Sequence, residues 1–428
     1  MLVAQLARLI FLCFFTLECV VERVLSVLNA RYAQAHAHTI PPELSATLDA
    51  QTHRKSVDYT LARTAFGHVA AIEGALLKLL FLFSGALPWL ARQSAEMAPG
   101  DYSSAVLFLL AFALLSALAS TPLDLYGTFV LEAKFGFNKT SLKMWLLDRV
   151  KGALLGVALG VPFMLAVLWL TLNSGPLWWL WAGLFVIAFQ FLMLLLYPAL
   201  IAPLFNKFEP LPDGELKQTV HELAARCGFA VGGIYTMDGS RRSGHSNAYF
   251  TGLGNARRIV LFDTLVQQMT TAELSAVLAH EIGHYKLRHI PKTLVLGIVL
   301  TLGGFFALSL LLHWPVLYEV FGGGAWPVDA HTALGVAQGL LLCSMIAGPL
   351  TFWSGPLMHA LSRKYEYEAD AYAVKQVSAE PLRGALLKLH AKNLSNPTPH
   401  PWYSAYYYSH PALVERLGAF GGDDKVTR

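Results

Sequence analysis

Charge is scarce in this chain. Asp, Glu, Lys and Arg supply 14% of its 428 residues, against about 25% in ordinary soluble domains, which argues against a single water-soluble globule. Cysteine is nearly absent. Cys13, Cys19, Cys227 and Cys343 are scattered, so neither a disulfide framework nor a thiolate metal site is expected, and all four read as small core residues. No dense run of Lys and Arg with interleaved aromatics occurs, and the formal net charge is only +4, which excludes a nucleic-acid partner.

What is present is apolar sequence in long blocks. Hydrophobic residues make up 55% of the chain, and the mean hydropathy is +0.48. Seven segments approach the roughly 20 residues needed to cross a bilayer. They cover 3–28, 70–90, 104–126, 153–172, 177–205, 293–318 and 333–360. The first is interrupted by Glu18, Glu22 and Arg23, and is read as an uncleaved span rather than a signal peptide. Gly152, Gly156 and Gly160 repeat every fourth residue, a spacing that predicts close helix packing. Positive loops alternate with nearly neutral ones, so the amino terminus is expected outside and the carboxy terminus in the cytoplasm. The expected organisation is 1–205, five spans with loops; 206–290, a cytoplasmic α+β segment; 291–360, two more spans; and 361–428, a cytoplasmic C-terminal segment.

Within 206–290, apolar residues at helical spacing predict a helix over 215–227, and short runs at 233–237, 247–253 and 258–262 predict strands. Thr270 and Glu273 form a capping-box pattern opening a helix that carries His280, Glu281 and His284. Histidines four residues apart share one helical face and can bind one zinc ion, with the intervening glutamate placed to act on a water held there. A catalytic zinc usually takes three protein ligands and keeps one position open. Glu366, on a helix leaving the last span, is the best third ligand, and Asp370 one turn on is placed to orient a ligand imidazole. Glu368 falls on another face. The expected chemistry is peptide hydrolysis, with zinc lowering the pKa of water from 15.7 to about 7 and Glu281 relaying a proton to the leaving amine. One Zn2+ per chain is the expected cofactor.

Several separate blocks then match in order: Asp58–Arg63, His245–Gly252, His280–His284, Ser362–Asp370 and His410–Leu417. On these the chain resembles the type I prenyl endopeptidases, the CAAX prenyl protease 1 family of integral-membrane zinc metalloproteases. The resemblance implies an all-α polytopic membrane protein, seven helices around a chamber, with a small α+β zinc protease domain on the cytoplasmic side. It implies His280, His284 and Glu366 as zinc ligands and Glu281 as general base. Asp370 and Arg363 are expected to support them. His410 and Asn247 are expected to contact the reacting group, and His245, Asn247, Ala248 and Tyr249 to line the substrate cleft. The implied partners are the lipid bilayer and a peptide or protein substrate, which family members take with a prenylated C-a-a-X terminus. The lack of a di-lysine signal in Asp423–Arg428 favours a bacterial inner membrane over the endoplasmic reticulum. Asn138 and Asn393, in glycosylation-like triplets on the cytoplasmic side, are expected unmodified. The alternatives are a quality-control protease without prenyl preference, a seven-helix transporter using Glu73 and Lys78, and a catalytically inactive receptor.

Overall fold

A computed structural model describes residues 2–45, 48–229, 231–251, 258–322 and 329–420. Long helices dominate it. They are α1 (Leu2–Ala35), α2 (Ala50–Phe83), α3 (Ala86–Met97), α4 (Asp101–Tyr126), α5 (Leu142–Asn173) and α6 (Trp178–Leu196) before the soluble segment. Among the described residues, six helices are long and apolar enough to cross a membrane: Ala50–Phe83, Asp101–Phe135, Leu142–Asn173, Gly175–Phe205, His289–Leu311 and Ala333–Val377. The expected count of seven is corrected here. The first helix is 34 residues long and packs with the others, but it is not among those six. The second span also ends earlier than expected, because Gly85 adopts φ 81 and breaks the chain between α2 and α3.

The wall helices bury little of themselves. In the apolar window of His289–Leu311 none is buried, and in that of Asp101–Phe135 only 6%. A helix facing lipid over most of its surface has few protein neighbours and needs no polar face toward water. This explains a second correction. A Cβ built on Gly152, Gly156 or Gly160 meets nothing within 4 Å, so these glycines do not seat a partner helix. Cys13 is exposed on α1, whereas Cys227 and Cys343 are buried; all four thiols are free.

The soluble segment carries a four-stranded sheet of β1 (Phe208–Pro210), β2 (Gly233–Met237), β3 (Ala248–Thr251) and β4 (Arg258–Phe262), in the order β1-β2-β4-β3. β2 and β4 run parallel, and β3 pairs antiparallel with β4 at one edge. The sequence expectation for β3 extended to Leu253, which lies outside the described residues. β4 is central and buried on both faces, which is why Ile259, Val260 and Leu261 read as an unbroken apolar run. On the sheet pack α7 (Glu215–Arg226) and α8 (Thr271–Lys286). The Thr270–Glu273 capping box closes reciprocally at the start of α8, and Lys388 Nζ adds a 2.6 Å ion pair to Glu273.

After α8 the chain enters the wall as α9 (His289–Leu311), then α10 (Pro315–Gly322) and α11 (Ala333–Thr351), and returns as α12 (Gly355–Val377). α13 (Ala379–Lys392), α14 (Pro401–Tyr407) and α15 (Leu413–Ala419) complete it. In the soluble part, α8 packs closely against α12. A Cβ on Gly283 would sit 3.1 Å from Ala369 Cα and 3.2 Å from its carbonyl oxygen. Only a residue without a Cβ lets the two backbones meet there. Gly283→Ala is therefore expected to lower stability by about 1–3 kcal/mol through overpacking and to reduce metal retention, measured together by thermal unfolding and metal content. A Gly283→Ala protein as stable as its parent would show that α8 and α12 are not held at this contact.

Candidate metal centre

α8 presents His280 and His284 on one face, and α12 brings Glu366 against them. The ligand atoms of these three residues all lie within 4.8 Å of one another. His280 Nε2 is 3.2 Å from His284 Nε2, His284 Nε2 is 3.3 Å from Glu366 Oε1, and His280 Nε2 is 3.5 Å from Glu366 Oε2. A tetrahedral zinc with bonds near 2.0–2.1 Å places its ligand atoms about 3.3 Å apart, so the edges of the triangle fit such an ion.

The hydrogen bonds behind the imidazoles fix which nitrogens face inward. Asp370 Oδ1 can only accept, so His280 Nδ1, at 2.8 Å, carries the proton and Nε2 keeps its lone pair. Glu368 Oε2 likewise accepts from His289 Nε2 at 2.8 Å, which leaves His289 Nδ1 to accept from His284 Nδ1 at 3.0 Å. His284 Nε2 is then a lone pair too. Two lone pairs and a carboxylate thus converge in a buried site, and Glu366 Oε2 has no hydrogen-bond partner although it is buried. Such a donor set repels itself unless a cation sits among it, either a divalent metal, which it fits, or, without metal, a proton on His280.

The sequence reading gave no role to three residues of this network. Arg416, on α15, clamps Asp370 through Nε at 2.7 Å and Nη2 at 2.5 Å, and its Nη1 is 3.8 Å from Glu366 Oε2. His289, stacked on Tyr365 with ring centroids 4.2 Å apart, and Glu368 form the second relay. Glu368 does fall away from the triangle, but its face is the one that orients His284. No local spacing rule links position 416 to 370, or 284 to 368. Only the packing of α8, α12 and α15 does.

Of the remaining expected residues, Glu281 is half-buried beside His280 and His284. Burial raises its pKa, and His280 and His284 pull partly against that. His410 is largely exposed, with Nε2 3.4 Å from Glu366 Oε1 and Nδ1 3.0 Å from Ser409 Oγ. Arg363 does not touch the triangle. Its guanidinium donates to the Tyr408 carbonyl at 2.7 Å and so pins the segment that carries His410. Asn247 and His245 line a neighbouring cavity of about 670 Å³ together with Tyr59, Arg63 and Tyr408. The Asn247 side chain accepts from the Ala248 amide at 2.8 Å, and Tyr249 packs edge-on against Phe262. His245 stacks on Phe137 at 4.0 Å and stands 3.7 Å from Glu132. Asn393, one of the two candidate glycosylation sites, accepts from the Ser246 amide at 3.2 Å and holds this turn in place.

Residues 29–207 match the family model "CAAX prenyl protease N-terminal, five membrane helices", and residues 210–422 match "Peptidase family M48". A CAAX prenyl protease 1 homolog of Arabidopsis thaliana is 38% identical over 399 residues, covering 91% of this chain and 92% of its own. The CAAX prenyl protease 1 of Saccharomyces cerevisiae is 36% identical, with 92% and 91% covered. The crystal structure of S. mikatae Ste24p superposes with a TM-score of 0.89 at 35% identity, over 97% of this chain and 99% of that one. The chain belongs to the CAAX prenyl protease 1 family of M48 peptidases. It is a multi-pass integral membrane protein and a metalloendopeptidase that acts on peptide or protein substrates. Membership in this family retires the transporter reading. Lys78, one of its two intramembrane charges, lies 5.2 Å over the Phe15 ring.

The same electrostatics sets a pH dependence. Burial opposes charge on His280, but Asp370 and Glu366 outweigh it and push its pKa up to about 9. A proton therefore competes with metal for this imidazole at every pH below that value. Metal affinity is expected to rise with pH by about tenfold per unit for the one proton displaced, and to level off near pH 9. Chelator competition across this range measures it; an affinity independent of pH would show that His280 is not a ligand.

Proposed function

We propose that this family member is a zinc endopeptidase that cleaves near the carboxy terminus of prenylated proteins, as the names of its relatives indicate for them. His280, His284 and Glu366 hold the ion, one per chain. The observation that carries the reading is the triangle of three inward-facing donors, each backed by its own partner. His and carboxylate donors suit zinc, which would polarise the scissile carbonyl and lower the pKa of a water to about 7.

The protein's own residues supply the rest. Glu281 is half-buried beside two imidazoles, so its carboxylate can take the proton of the attacking water and return it to the departing amine. His410 faces the triangle from the open side and donates to the oxygen on which charge develops. The edge strand β3 offers main-chain groups to an extended substrate, and Asn247 marks its near end. A cavity of about 520 Å³ between α1 and α2, walled by Ala71, Ile72, Ala75 and the rings of Tyr403 and Tyr407, has room for an apolar chain. The alternation of positive and neutral loops supports a cytoplasmic soluble domain and carboxy terminus.

The test has two arms. Purified protein should hold one zinc, and His284→Ala should lose it. A farnesylated peptide and its unmodified counterpart are then cleaved side by side. Faster cleavage of the farnesylated peptide supports the reading, and equal rates would leave a protease without lipid preference.

A further inference from the structure

A second cleft, of about 600 Å³, opens where the N-terminal end of α5 meets the segment leaving α6, and it shares no residue with the metal centre. Six cationic side chains line it: Lys139, Lys143, Lys151, Lys207, Arg241 and Arg242. One carboxylate, Asp148, faces them, and Arg242 already holds it at 2.9 and 3.2 Å. Lys151 donates to the Leu204 carbonyl at 3.0 Å, and Arg241 reaches Asp238 at 3.8 Å. Among the described residues, the ammonium groups of Lys139, Lys143 and Lys207 have no hydrogen-bond or ion-pair partner. Three unpaired cations held around one concavity repel each other, and an anion relieves that repulsion.

The rest of the lining is apolar. Met144, Leu147 and Leu204 form it, and the surface beyond continues as Leu146, Val150, Leu154 and Leu200, which are 55%, 48%, 67% and 61% exposed. That surface belongs to spans read as lipid-facing. A ligand matching both halves has an anionic head and an apolar tail. A free phosphate uses only the first half. An acidic peptide would have to lay unpaired backbone against the hydrocarbon region, which is costly. We propose that this cleft is a binding site for an anionic phospholipid, its phosphate among Lys139, Lys143 and Lys207 and its acyl chains along Leu147 and Leu204. Basic pockets at the end of membrane helices favour such headgroups. The lipid would tie the end of α5 to the soluble domain at the place where Arg242 already bridges Asp148 and Asn206.

Binding of fluorescent phosphatidylglycerol to the full-length protein in neutral detergent tests this. Each lysine is expected to contribute about fivefold, so K139Q/K143Q/K207Q should bind about 100-fold more weakly, while hydrolysing peptide in lipid-free detergent at the parent's rate. Phosphatidylcholine should bind weakly to both. Undiminished binding by the triple variant, or equal binding of the two lipids, would overturn the proposal. So would displacement by glycerol 3-phosphate or by an acidic peptide at the lipid's own concentration, which would mark a soluble-anion or peptide site. If the triple variant does not fold, photoactivatable phosphatidylglycerol on the parent protein decides. Labelling within 139–151 and 203–207 supports the site, and labelling confined to other segments removes it.

Discussion

Glu281→Gln is expected to lower kcat by about 10³-fold, within the range general acid–base groups supply, while the protein keeps its metal. The amide is nearly the shape of the carboxylate, so His280, His284 and Glu366 stay where they are. What is lost is the one group between the two imidazoles that can accept a proton. Burial raises the Glu281 pKa above its ordinary 4.5. In the parent, a buried carboxylate with a raised pKa becomes protonated, and so inactive as a base, at a higher pH than an exposed one. The acid limb of the kcat profile should therefore lie above the usual glutamate value and should vanish in the variant's residual activity. Steady-state kinetics with metal analysis on the same preparation reads both. A Glu281→Gln protein that keeps its turnover would end the assignment of Glu281 as base, and one that loses its metal would place it in the ligand set.

The second large effect is expected at Arg416, a residue that touches neither imidazole. Its guanidinium holds both Asp370 oxygens, and Asp370 holds His280. All three are buried. Arg416→Ala leaves the Asp370 carboxylate buried without its cation, a loss of about 3–5 kcal/mol when one partner of a buried pair is removed. It also frees the His280 ring to rotate, and such outer partners typically account for 10–100-fold in metal affinity. Thermal unfolding and chelator competition measure the two losses. Asp370→Asn on the Arg416→Ala background separates them: the asparagine carries no charge to strand, so stability should recover in part while metal affinity stays low. If Arg416→Ala retains metal as the parent does, the relay from Arg416 through Asp370 to His280 contributes nothing to the site.

Much of the site is legible in the chain because two of its proposed ligands and its proposed base lie within one helical turn. His280, Glu281 and His284 are placed by helix periodicity alone, and the capping box at Thr270 fixes where that helix begins. Asp370 is legible relative to Glu366 for the same reason. The strands of the small sheet are legible because β4 is buried on both faces and reads as continuous apolar sequence. The wall helices were legible as membrane spans but not in their bounds. Helices that continue past the apolar stretch, such as Gly355–Val377, carry polar sequence with no change in backbone.

Other features were misread because periodicity says which face a residue occupies and not what lies opposite. Gly152, Gly156 and Gly160 have the spacing of a packing face, yet nothing meets them. Gly283, inside the motif itself, looks incidental in sequence and proves to lie where the backbone of Ala369 comes within 3.2 Å of where its Cβ would be. Arg363, expected to support the metal, supports the 404–408 backbone instead.

The amino-acid sequence by itself determined that the chain lives in a bilayer, that one short helix carries a zinc-type motif, and that a carboxylate far along the chain could complete it. These follow from composition and from side chains a turn apart, which are local properties. The tertiary structure alone decided that Glu366 stands 3.3–3.5 Å from both imidazoles, that Arg416 and His289 stand behind the ligands, and that unpaired lysines gather beside exposed leucines at the end of α5. Those relations join residues tens to hundreds of positions apart, and only the packing of helices from separate parts of the chain brings them within reach of one another.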